Sequence, residues 1–151
     1  LKKKTRTTKA ATAEAEAPAR DVSGIKTKMP KKDLDAFKTL LLEKRRTIVG
    51  MVSGLEHEAL KSGGGSSSNM PIHMADVGTD AFEQDFTLGL AETERTLLRE
   101  IDSALERVQD KTYGVCQTTG KTIPKARLRA KPWAKFTVEA ARANERAAAA
   151  E

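Results

Sequence analysis

A chain of 151 residues with 38% hydrophobic, 4% aromatic and 32% charged side chains and a net charge of +6 has the size of one small domain with tails. Four Phe, one Tyr and one Trp are too few to fill a wide β-sandwich or barrel core, which leaves an extended, mostly α-helical protein. The longest uncharged stretch, Ser62 to Ala75, is Gly/Ser-rich, so no segment can cross a bilayer as an apolar helix of about 20 residues and a soluble protein is expected.

The lone Cys116 cannot form an internal disulfide, and nothing resembles a secretory signal, which points to a reducing, cytoplasmic setting. The chain begins at Leu1 rather than Met, as a fragment or processed form would. Its charge is segregated. Residues 1–32 carry ten Lys/Arg against three Asp/Glu, residues 33–110 eight against fifteen, and residues 111–151 nine against three. The chain therefore reads as a basic tail, an acidic middle and a basic end.

The tail, 1–32, has almost no large apolar residues and no sustained period, so burial cannot offset its ordering entropy and it is expected to be disordered. It either attracts nucleic acid weakly and non-specifically, through its phosphates, or acts as a solubilising linker. From Asp33, a plausible N-cap after Pro30, Leu34, Leu41, Ile48 and Leu55 recur every seven residues, with Phe37, Lys44 and Met51 interleaved. That spacing predicts a coiled-coil helix over about 33–61. A loop over 62–79 follows, and a second helix over about 80–110 carries an apolar stripe of Phe82, Phe86, Leu90, Leu97, Ile101, Ala104, Leu105 and Val108. Two such helices joined by a Gly/Ser loop predict a long antiparallel hairpin. The stripes are read as core, so function is sought at the hairpin's tip and base.

At the tip, Asp76, Asp80, Glu83 and Asp85 concentrate negative charge near His73. Capping of the second helix by Asp76, Thr79 or Asp80 competes with the reading that these carboxylates reach a basic or metal-containing site on a partner. His57 and His73 form no metal constellation with the single Cys, and His57 reads as an ordinary surface residue. No Ser/His/Asp arrangement or phosphate loop is present, so an enzyme is not expected.

At the base, over 111–151, Gly114 and Gly120 flank Cys116–Thr119 as turn glycines. Tyr113, Ile123, Leu128, Trp133, Phe136 and Val138 supply a small apolar plug, placed against Leu105 and Val108, and a helix is predicted from about Pro132 to Glu151. Six cations, Lys121, Lys125, Arg127, Arg129, Lys131 and Lys135, decorate this region. They serve either as a solvated charge run or as a grip on an acidic rim or on nucleic acid.

The segment YGVCQTTGKTIPKARLRAKPWAKFTVEA, beginning at Tyr113, resembles the finger of the DksA/TraR family, approximately YGxCxxCGxxIPxxRLxAxPxxxxCxxC. HMADVGTDAFEQDF, from His73, is similar to the same family's tip-to-helix segment, and the likeness spans roughly Asp33 to Ala140. It implies a helical hairpin with a small zinc-finger-like knuckle and a C-terminal helix, in a regulator that binds bacterial RNA polymerase. In that family the coiled coil enters the secondary channel and acidic tip residues act near the catalytic magnesium. The role falls on Asp76 and Asp80, then Glu83 and Asp85, although Asp76 and Asp80 stand four apart where the best-known family tip has acids three apart. Of the family's four zinc ligands only Cys116 is kept. Thr119, Thr137 and Ala140 take the other positions, and one thiolate with two hydroxyls and a methyl is not a structural zinc site, so no zinc is expected. Cys116 then reads as a small buried hydrophobe. The competing readings are a small nucleic-acid-associated protein that binds phosphate through its tails, and a helical adaptor without polymerase binding.

Overall fold

The computed structural model describes residues 24–63 and 74–150. Residues 1–23, the Gly/Ser segment and His73 lie outside the described residues, as do the side chains of residues 62–63 and 74–77. Four helices follow one another: α1 (Lys31–Gly63), α2 (Met74–Gln109), the short α3 (Lys125–Ala130) and α4 (Val138–Ala149).

α1 and α2 run about 50 Å each at 1.5 Å per residue. Arg45 Nε donates to Asp102 at 2.7 Å, Arg95 pairs with Glu56, and Gln84 Nε2 donates to the Ala59 carbonyl at 3.3 Å. Partners rise along α1 as they fall along α2, which makes the hairpin antiparallel. The ion pairs are half-exposed, contribute little each, and serve mainly to mark the register.

Burial selects which residues form the seam. Leu41 and Ile48 are buried and Leu34 and Leu55 partly so, as the heptads predict. The second line departs from prediction after Phe37: Lys44 and Met51 are exposed, and half-buried Arg45, then Val52 and Ala59, take their places. An α-helix drifts about 20° per heptad against a strict seven-residue repeat, and this shift by one residue re-aims the second line at α2.

On α2, Ile101 and Ala104 are fully buried, with Leu97, Leu98, Leu105 and Val108 packed against the core. The expected members Phe82, Phe86 and Leu90 are not in the seam; all three are exposed. The buried apolar side chains toward this end of the hairpin are the small Ala59 and Ala91. Steps of four residues rotate by about 40° each, so a Phe82–Phe86–Leu90 line spirals off the contact.

Helix bounds also differ from prediction. α1 runs from Lys31 to Gly63 and α2 begins at Met74 rather than near Asp80. Gly78 is helical and meets no heavy atom within 4 Å where a Cβ would stand. Interior Gly costs about 1 kcal/mol relative to Ala, which this long helix tolerates. Thr79 and Asp80 therefore lie inside the helix rather than at its cap, and residue 76 falls in the first turn. α4 begins at Val138, not Pro132, because the chain from Lys131 to Thr137 is used to receive hydrogen bonds from the hairpin and the knuckle.

Residues 27–29, expected within the tail, are part of the described structure. Thr27 N–H donates to the Lys111 carbonyl at 2.6 Å, and Met29 packs against the core. One apolar side chain and one backbone bond tie residues 27–29, read from sequence as tail, to the base of the hairpin.

Candidate functional site

The knuckle is built on turns. Gly114 (φ 81°) and Gly120 (φ 68°) hold left-handed conformations that favour glycine. A Cβ on Gly114 would stand 3.1 Å from Met29 Cε, so this glycine also provides space for the incoming chain. Cys116 N–H donates to Lys121 O at 2.8 Å, Gly120 N–H to Cys116 O at 2.9 Å, and Ile123 N–H to Gly114 O at 2.7 Å. Gln117 N–H reaches Lys135 O at 3.0 Å and closes the knuckle onto the segment before α4.

The four positions that carry zinc ligands in the family pattern form a different arrangement here. Cys116 is fully buried, Thr119 exposed, Thr137 half-buried and Ala140 buried. The Thr137 hydroxyl is the N-cap of α4 and accepts from Ala140 N–H at 3.3 Å, so two former ligand positions are joined by a helix cap, worth about 1 kcal/mol. Burial pushes the Cys116 thiol up; the Thr119 hydroxyl and the N–H groups of Thr137, Thr119 and Thr118 outweigh it and bring the thiol below its ordinary range. Among the described residues, no group of three or more His, Cys, Asp or Glu could hold a metal ion. This donor set does not fit structural zinc, which takes four Cys or His ligands.

The described contacts that bind the knuckle to the hairpin centre on a residue the sequence did not single out. Arg107, 6% exposed, donates through Nη1 to Ala134 O and through Nη2 to Trp133 O, both at 3.1 Å, and through Nε to Ser103 O at 3.2 Å. Its own carbonyl accepts from Thr112 and Tyr113 N–H. Desolvation pulls its pKa down against the pull of Tyr113 and Glu100, yet a guanidinium remains charged in proteins. Tyr113 is fully buried, its ring 5.6 Å from that of Phe37 and its hydroxyl donating to Pro132 O at 2.7 Å. Burial raises its pKa far above the usual phenol range. Arg107 lies off the predicted apolar stripe, and no feature of spacing separates it from a surface arginine.

The apolar plug forms largely as expected. Tyr113, Ile123 and Leu128 are fully buried and Trp133 and Phe136 pack against them, but Val138 is 41% exposed as the first residue of α4.

The six basic positions divide. Lys125 pairs with Asp33 of α1, and Arg127 Nε donates to Phe136 O at 2.9 Å, so these two have partners within the fold. Lys121, Arg129 and Lys131 are exposed, and Lys135 is half-exposed. Arg127, Lys131 and Lys135 share a groove of about 240 Å³ with Trp133 and Phe136, opposed by Glu100 and Glu145. The groove is thus of mixed charge.

At the other end, Asp80, Glu83 and Asp85 are exposed. Positions 76, 80 and 83 follow one another at four and three residues and share one side of α2, whereas Asp85 lies five beyond Asp80 and turns away. His57 is exposed on α1.

The knuckle and α4, residues 111–146, match the prokaryotic dksA/traR C4-type zinc finger. An uncharacterized protein of Aquifex aeolicus is 35% identical over 118 residues, covering 78% of this chain and 80% of that one. The RNA polymerase-binding transcription factor DksA of Caulobacter vibrioides is 40% identical over 73 residues, 48% of this chain and 51% of that protein. The structure of transcription factor DksA2 from Pseudomonas aeruginosa superposes with a TM-score of 0.69 at 32% identity, covering 79% of this chain and 88% of that one. Hairpin, knuckle and C-terminal helix thus recur together, and the chain belongs to the DksA/TraR family.

Proposed function

We propose that this chain binds bacterial RNA polymerase in the cytoplasm and regulates transcription by inserting the hairpin tip into the polymerase's secondary channel. Asp76 and Asp80 are the working carboxylates, and Glu83 and Asp85 add to their field. The observation that carries this reading is the likeness of hairpin and knuckle together to the DksA2 structure, because a knuckle alone could sit on many proteins.

Physical reasoning supports the same assignment. A hairpin two helices wide and about 50 Å long reaches into a passage closed to a globular surface. Between Met74 and Glu94 the chain has six carboxylates and no Lys or Arg, so the distal half, which also carries Glu56, Glu58 and Lys61 on α1, presents a strongly net negative surface to a cationic interior. The base stays outside, where Lys121, Arg129, Lys131 and Lys135 suit an acidic rim. The action is by binding and field, without a covalent step on this chain. Thr27 and Met29 belong to the base, so a chain shortened within 1–32 to begin at Gly24 keeps them.

The test is a pull-down of purified bacterial RNA polymerase by the full chain and by a chain beginning at Gly24. Both retain polymerase on this reading. A reading based on nucleic acid predicts instead DNA binding that falls steeply with salt and vanishes with the tail. Failure of the full chain to retain polymerase sinks the proposal.

The knuckle in this reading is metal-free. Zinc contributes on the order of 10 kcal/mol to small zinc modules, and here the buried plug, Arg107 and the Thr137 cap take its place. Metal analysis of the purified protein is expected to find far less than one zinc per chain, and a chelator to leave the melting temperature unchanged. Stoichiometric zinc would refute this.

A further inference from the structure

On the outer side of α2, Phe82, Phe86 and Leu90 are 70%, 60% and 42% exposed. They follow one another every four residues and cover about 12 Å of helix. The hairpin seam does not use them: all three are exposed, while the small Ala59 and Ala91 are the buried apolar residues toward this end. Single exposed apolar residues need no explanation, but two phenylalanines one turn apart form a patch of the kind that marks an interaction site. Its charged neighbours on α2 are acidic, with Lys61 exposed near the end of α1. Turning 100° per residue, Glu83 and Asp85 border the ring stripe on opposite sides. Both are exposed and, among the described residues, neither is in an ion pair.

We infer that this stripe docks a cationic amphipathic segment of a protein partner, whose apolar side covers Phe82, Phe86 and Leu90 while its Lys or Arg side chains meet Glu83 and Asp85. Charge decides between occupants. The same face of a second copy brings like charges together. An anionic lipid surface repels the same carboxylates. The chain's own basic residues 2–21 include no large apolar side chain that could cover the rings. The inference rests on the polymerase reading for the partner's identity and supplies the wall contact that an inserted hairpin would make behind its tip. The chemistry of the surface can be tested apart from that reading.

The full-length protein is titrated with a synthetic leucine/lysine amphipathic helix of about five turns and with its leucine/glutamate counterpart. The lysine peptide is expected to bind and the glutamate peptide not. Phe82→Ala/Phe86→Ala, which alters only exposed positions and keeps helix-forming residues, weakens lysine-peptide binding about tenfold or more at unchanged helicity. Glu83→Gln/Asp85→Asn weakens it and flattens its salt dependence. Equal binding by the Phe variant, or equal binding of the two peptides, overturns the inference. So does sedimentation showing a dimer that the Phe variant dissociates, since the occupant would then be a second copy. With polymerase, the Phe variant is expected to retain about tenfold less than the unaltered chain, and equal retention overturns the inference. If the unaltered chain retains no polymerase, it is the polymerase reading that fails, and the peptide titration still decides this surface.

Discussion

Arg107→Met is expected to destabilise the protein by about 3 kcal/mol, a fall in melting temperature of roughly 10 °C. The substitution keeps an apolar stem of similar reach and removes the guanidinium that serves the carbonyls of Ala134, Trp133 and Ser103. A hydrogen bond from a charged donor contributes about 1.5–3 kcal/mol, and a buried acceptor left without a partner costs about 1–3 kcal/mol. Arg107→Lys recovers little of the loss, because a single ammonium cannot present the planar fork that reaches two neighbouring carbonyls at once. Trp133 is the chain's one tryptophan, so its fluorescence reports the knuckle while circular dichroism reports the hairpin. The fluorescence transition is expected to fall to lower denaturant than the helical one in the variant. A melting temperature within about 3 °C of the unaltered protein's would show that packing of the plug, not the guanidinium, holds the knuckle.

The second large effect is expected at the opposite end. Asp76→Ala/Asp80→Ala removes two negative charges from the first two turns of α2 and is expected to lower polymerase association about tenfold or more, with loss of the effect on transcription. Removing one heptad from each helix, residues 52–58 and 89–95, keeps the seam in phase because Ala59 replaces Val52 and Leu98 replaces Ala91. The tip is withdrawn by about 10 Å, and the same loss is expected with all four tip acids still present. Together the two variants separate charge from reach: charge without reach and reach without charge both fail if the tip works inside a channel. Full association and full transcriptional effect in both variants would overturn tip insertion while leaving family membership untouched.

Much of the fold is legible in the chain because amphipathic helices announce themselves by period. The line Leu34, Leu41, Ile48, Leu55 places α1, and Leu97, Ile101, Leu105, Val108 place the proximal half of α2. Gly114 and Gly120 mark the knuckle's turns for a local reason, their positive φ angles. The departure from a four-cysteine donor set is legible too, since it depends on residue type alone: Thr119, Thr137 and Ala140 stand where the family pattern has three of its cysteines.

Other features depend on what faces a residue, and the chain does not state that. Phe82 and Phe86 look like core by spacing, yet both are exposed while the small Ala59 and Ala91 are buried. Arg107 looks like a surface cation, yet the path of Lys131–Phe136 lays carbonyls over it. Lys125 and Arg127 read as a functional basic surface and are largely spent on Asp33 and on the Phe136 carbonyl. The amino-acid sequence by itself determined the helical hairpin, the acidic distal half and the departure from a four-cysteine donor set, because these follow from period, charge and ligand type, which are properties of residues. Only the tertiary structure decided which apolar and charged side chains are in the core and which are free to meet a partner, because burial is a property of pairs of elements and depends on how closely they approach.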